Sequence, residues 1–200
     1  AMKRPVEIEF ACNLNADRTG EMYLLQIRPI VEENQAVVEN LSQIADDQCL
    51  LRTDMALGHG ESHEVRDVVY VKTSDGYNPL ENKEVAQEVE TFNRQFADDG
   101  ERYVLIGPGR WGSSDPGLGI PVKWSSISAA SVIVELGIKG YQIDASQGTH
   151  FFQNLTSFGV GYFTINAWRG EGICRTDWLD ALPAVEETKH VRHVRFPHAF

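Results

Sequence analysis

Two carboxylates, an amide and a guanidinium stand at alternating positions within the first thirty residues, and their types and spacing could do phosphate chemistry. In Pro5-Val6-Glu7-Ile8-Glu9-Phe10 the side chains alternate, so Val6, Ile8 and Phe10 share one face and Glu7 and Glu9 the other. Tyr23 to Pro29 repeat the pattern, with Leu25 and Ile27 on one side and Gln26 and Arg28 on the other. The turn formers Asn13, Asn15, Asp17 and Gly20 lie between Cys12 and Glu21, so an antiparallel hairpin is expected. A carboxylate and an amide oxygen are hard ligands suited to a magnesium ion bridging phosphates, and an arginine fork binds phosphate oxygens in a bidentate manner. A solvated hairpin face with a surface ion pair satisfies the same pattern.

A glycine-rich loop is the second candidate. Gly107-Pro-Gly-Arg-Trp-Gly112 matches the dinucleotide fingerprint G-x-G-x-x-G after an apolar strand, with Glu135 near the spacing of a ribose ligand. A Rossmann site fits poorly, because residues 113–121 contain two prolines and two glycines where an uninterrupted helix must face the pyrophosphate. Two readings remain. In one, the loop is a structured connection in which Trp111 plugs a gap and Arg110 pairs with a carboxylate. In the other, successive backbone N–H groups with Arg110, Ser113 and Ser114 form an anion-binding concavity for a phosphoryl group.

The third candidate is His150, in Ser146-Gln-Gly-Thr-His150, in the first turn of a helix expected over 149–158. The positive end of a helix disfavours an imidazolium and favours an added anion, so such a histidine is a neutral nucleophile that could accept a phosphoryl group. A capping histidine packed under Phe151 and Phe152 is the alternative. The other histidines carry less chemistry: His190, His193 and His198 lie in or beside a basic run expected to decorate an edge strand, and His59 and His63 flank an expected loop.

The elements that must position these groups alternate between strand and helix. Strands are expected at 49–52, 65–71, 103–106, 131–136 and 161–165. Helices are expected at 38–45 and at 82–96, where Val85, Val89, Phe92 and Phe96 recur at helical spacing, Asn82 caps the start and Gly100 lies past the end. The class is α/β. A net charge of -11 repels phosphate backbones and disfavours nucleic acid as a partner. No apolar run reaches membrane length and no leader pattern is present, so a cytoplasmic enzyme without membrane contact is expected. Cys12, Cys49 and Cys174 have no metal-ligand spacing and read as buried, reduced thiols.

The hairpin segments Pro5-Val-Glu-Ile-Glu-Phe10 and Leu24-Leu-Gln-Ile-Arg-Pro29 resemble the end of the ATP-grasp domain in the phosphoenolpyruvate synthase and pyruvate phosphate dikinase family. That resemblance implies that Glu9 and Gln26 are magnesium ligands and that Arg28 contacts the ATP phosphates, with Glu7 standing where the family has Asp. Downstream, Ala129-Ala-Ser-Val-Ile-Val-Glu135, Gly148-Thr-His150 and Gly159-Val-Gly161 resemble the family's swivelling phosphohistidine domain, with Phe151 and Phe152 in place of two alanines. The implied organisation is a last ATP-grasp hairpin over residues 3–31 and a divergent swivelling-like α/β domain over 32–200. The implied activity is ATP-dependent phosphoryl transfer through a phosphohistidine at His150, needing ATP, magnesium and the rest of the ATP-grasp domain upstream, and absent from this piece alone. A noncatalytic module that senses a small phosphorylated metabolite through the Arg110 loop is the alternative.

Overall fold

A computed structural model describes residues 6–15, 19–29, 41–58, 61–73, 76–139, 155 and 159–199, which belong to two compact units, Ala1–Asn34 and Gln35–Phe200. In the first, β1 (Val6–Leu14) and β2 (Gly20–Pro29) form the expected antiparallel hairpin. Its strands run further than the turn formers imply. Asn13 pairs with Glu21 inside the ladder, and the turn is closed by a hydrogen bond from the Asn15 N–H to the Thr19 carbonyl. A register shift after Glu9 sets Phe10 opposite Leu24, so Leu25 falls out of the strict alternation.

The second unit is built on a mixed sheet of seven strands ordered β12-β13-β5-β6-β9-β10-β4. Its centre is parallel: β5 (Asp67–Val71), β6 (Tyr103–Pro108), β9 (Ala130–Leu136) and β10 (Gly161–Ile165). β4 (Ala56–Leu57) runs antiparallel on one flank, and β13 (Val191–Arg195) with β12 (Ala184–Glu187) on the other. Two minor strand pairings lie outside this sheet. β3 (Leu51–Arg52) pairs with β11 (Ile173–Cys174), and β7 (Arg110–Trp111) with β8 (Gly119–Ile120).

Alternation along the parallel strands divides the core into two layers. Val69, Leu105, Ile133 and Tyr162 point to one face and are covered by Val85, Val89, Phe92 and Phe96 of α1 (Asn82–Asp99). Val68, Tyr70, Val104, Val134 and Ile165 point to the other, against Leu179 of α2 (Thr176–Ala181). α1 ends as expected, with Gly100 in the left-handed region at φ 69° and the Glu101 N–H returning to the Phe96 carbonyl. Its start differs. Asn82 is the first helical residue and is buried, while Asn78 caps the short 3-10 turn before it. Among the described residues, no helix is long and apolar enough to cross a membrane.

The run carrying His193 is not an edge strand. β13 lies between β12 and β5, where it supplies the partners of Asp67 at the head of β5: the carboxylate is 2% exposed, with His193 Nε2 at 2.6 Å and Arg195 Nε at 2.7 Å. A buried carboxylate is tolerated only when paired in this way. The His193 ring also packs edge-on against Phe92 and Phe96, at 6.3 and 5.1 Å between centroids. Of the expected helix at 38–45, residues 38–40 lie outside the described residues and Leu41–Gln43 form a 3-10 turn.

The thiols are not equivalent either. Cys12 is exposed on β1, whereas burial, with the nearby Asp177 carboxylate, pushes the Cys174 thiol up to about 12. At pH 8 Cys174 is therefore protonated and inert. Titration with a disulfide reagent at that pH should label Cys12 within minutes and Cys174 only after denaturation; equally fast modification of Cys174 in the native state would contradict the packing described.

Candidate functional site

Ligands of open α/β sheets bind outside the carboxyl ends of the strands, at the point where strand order reverses. Here β5, β6, β9 and β10 follow one another in a single direction, so the central parallel strands offer no such reversal. At the carboxyl ends of β6, β9 and β10 the register aligns Gly107, Glu135 and Thr164 across the sheet, on the α1 side. Trp111 folds back over this row. Its ring sits so close above Gly107 that any Cβ there would overlap it, and its indole N–H donates to the Val134 carbonyl at 3.0 Å.

Glu135 has no solvent exposure and is the polar centre of this arrangement. Its Oε1 accepts the Trp111 backbone N–H at 3.0 Å, its Oε2 accepts the Tyr162 hydroxyl at 2.6 Å, and Thr164 Oγ1 donates to the Tyr162 oxygen at 2.7 Å. The sequence marked Glu135 as a position of interest for ribose binding. Instead the carboxylate faces inward and clamps the glycine-rich loop to the sheet.

The loop is cross-braced throughout. The N–H groups of Gly109, Arg110 and Gly112 donate to the carbonyls of Leu136, Leu118 and Ile120, and those of Leu118 and Gly119 to the Asp115 carbonyl. Asp115 Oδ1 takes the Gly117 N–H at 2.8 Å, and Ser113 Oγ takes the Asp115 N–H at 3.2 Å. From α1, the Asn82 amide reaches the Gly119 and Pro116 carbonyls at 2.8 and 3.3 Å, while Tyr77 donates to its oxygen. Most of the loop's backbone N–H groups are thus already committed to the protein. Arg110 and Ser113 are half-buried and Ser114 is exposed, and the Ser113 hydroxyl is itself bonded to the Asp115 backbone.

The hairpin brings its own set together. Register pairs Glu9 with Gln26 and Glu7 with Arg28, so all four positions fall on one face of the ladder. Glu9 is partly buried and Gln26 exposed. His150, with Thr149, Phe151 and Phe152, lies outside the described residues, as does His59; Leu155 is helical and fully buried. His63 is on the surface beside Glu61.

One further cluster has ligand-like geometry. Carboxylate and imidazole atoms of Glu81, Glu84 and His190 lie within 4.8 Å of one another. The cation there is supplied by the protein: Lys189 Nζ donates to Glu81 at 3.1 Å and to Glu84 at 3.2 Å, holding Glu84 below the ordinary glutamate range. Sequence reasoning missed this cluster because Lys189 and His190 lie more than a hundred residues from Glu81 and Glu84, joined only when β13 inserts beside β5.

No protein-family model, curated protein or solved structure matches the chain.

Removing the Glu135 side chain leaves a buried N–H and a buried hydroxyl without their acceptor. Glu135→Ala should lower the unfolding free energy by about 3 kcal/mol, and Gly107→Ala, which must expel the indole, by ~3–5 kcal/mol. Urea denaturation followed by tryptophan fluorescence measures both. Losses within about 0.5 kcal/mol of the parent would mean that the loop is held by something else.

Proposed function

We propose that this chain is the C-terminal part of an ATP-dependent phosphotransferase resembling phosphoenolpyruvate synthases, acting through a phosphohistidine at His150. The observation that supports this reading is the hairpin register, which brings Glu9 opposite Gln26 and Glu7 opposite Arg28. In the proposal Glu9 and Gln26 hold magnesium, Arg28 binds the ATP phosphates with Glu7 beside it, and residues 32–200 form a divergent swivelling domain carrying the phosphoryl group. The apolar residues of the hairpin fit the same picture. Ile8, Phe10, Leu24 and Leu25 are between 50% and 60% exposed, and an isolated two-stranded hairpin is marginal in water, so a larger ATP-grasp sheet would give these strands the partners they need.

A noncatalytic module that senses a phosphorylated metabolite is the second reading. It is supported by the rigid loop, which presents Arg110, Ser113 and Ser114 on a fixed frame and would recognise an anion through side chains alone.

Two measurements separate the possibilities. Because the hairpin forms one wall of a nucleotide cleft, the 200-residue chain alone should show no micromolar affinity for ATP and magnesium by calorimetry; tight binding would put the nucleotide site elsewhere. Incubated with ATP and magnesium, the protein together with its complete ATP-grasp domain should acquire an acid-labile, base-stable phosphate on His150 that His150→Asn abolishes. Absence of that label, with phosphate binding weakened about tenfold or more by Arg110→Ala, would favour the sensing module.

A further inference from the structure

The two faces of the seven-stranded sheet are covered unequally. On the α1 side the central residues Leu105, Ile133 and Tyr162 have no exposure. On the opposite side Val132 and Phe163, in the adjacent central strands β9 and β10, remain partly exposed. They form the floor, with Val104, of a cleft of about 440 Å³ whose walls include Leu50, Trp178 and Phe196.

We propose that this cleft is a binding site for a small, uncharged, ring-bearing molecule. Its volume lies in the range of small-molecule pockets, and its lining combines aromatic walls with few polar groups, the usual composition of such sites. None of the lining residues carries a permanent charge; Gln48 and His198 at the margin supply the hydrogen-bonding groups. No lining residue supplies a counter-ion, and the cation beside the Trp178 wall, Arg175, is stacked on that ring and bonded to the Asp46 carbonyl, so an ionised ligand would lose hydration there for little return. One wall is pre-set, because the Arg175 guanidinium lies 5.0 Å from the centre of the Trp178 ring and its NH2 group donates to the Asp46 carbonyl at 3.0 Å. A ring can therefore enter between fixed surfaces, which reduces the ordering cost of binding.

Indole is a suitable probe, titrated into the whole chain with ¹³C-labelled valine methyls. Saturable shifts should appear at Val104 and Val132 with a dissociation constant on the order of 1 mM or tighter, while Val69 on the α1 face stays unchanged. Indole-3-carboxylate, the same ring with a charge, should bind about tenfold more weakly. Ala199→Trp, at the exposed mouth, and Val132→Phe, on the floor, should each weaken indole by about tenfold or more; the Val69 signals report whether the fold survives, and Ala199→Trp decides alone if Val132→Phe does not fold. No saturation below about 10 mM, equal binding of the carboxylate, or binding unaffected by Ala199→Trp would overturn the proposal.

Discussion

A carboxylate with no access to water must find its compensation inside the protein, and Glu135 finds it in the chain that folds over it. Its acceptance of the Trp111 N–H fixes where the loop turns back, the indole then needs a glycine beneath it, and Gly107 supplies that space. The short β7–β8 pair follows from the same constraint. So does the bridge from Asn82, which ties the start of α1 to the far side of the loop. Tyr162 and Thr164 complete the network from β10, so three parallel strands, a helix and a loop meet around one side chain.

This arrangement separates two kinds of polar cluster in the molecule. Around Glu135 and Asp67 the polar groups are buried and mutually satisfied, and they determine geometry. On the hairpin, Glu9 and Gln26 stand opposite each other in a two-stranded ladder, with Glu9 half-buried and Gln26 exposed. Burial here marks support.

The periodic elements were legible because local physics alone specifies them. Val85, Val89, Phe92 and Phe96 announced α1, and the β-favouring runs at 103–106, 131–136 and 161–165 announced three of the four parallel strands almost to the residue. The hairpin was legible for the same reason, although its strands continue through residues whose turn propensity is outweighed by cross-strand pairing. What escaped depended on distant partners. Asn82 looked like a cap because its type favours caps, yet its amide is used on a loop more than thirty residues away. His193 looked like surface decoration, and only the buried Asp67 reveals why it lies inside. The loop posed a different difficulty: Gly, Pro and Ser in that density describe equally well a cradle for an anion and a turn that satisfies itself. Hydrogen-bond partners distinguish the two, and spacing does not contain them.

The place of β13 has a consequence for how the protein is made. Arg195 reaches Asp67 across 128 positions of sequence, and β13 occupies the interior of the sheet beside β5. During synthesis the parallel strands and α1 emerge well before this strand does. Until it arrives, β5 presents an unpaired edge and Asp67 lacks its partners His193 and Arg195, a state that invites pairing with other chains. Closure of the sheet is therefore a late, long-range event, and the interval between emergence of β5 and release of residues 191–195 is when the nascent chain most needs a chaperone.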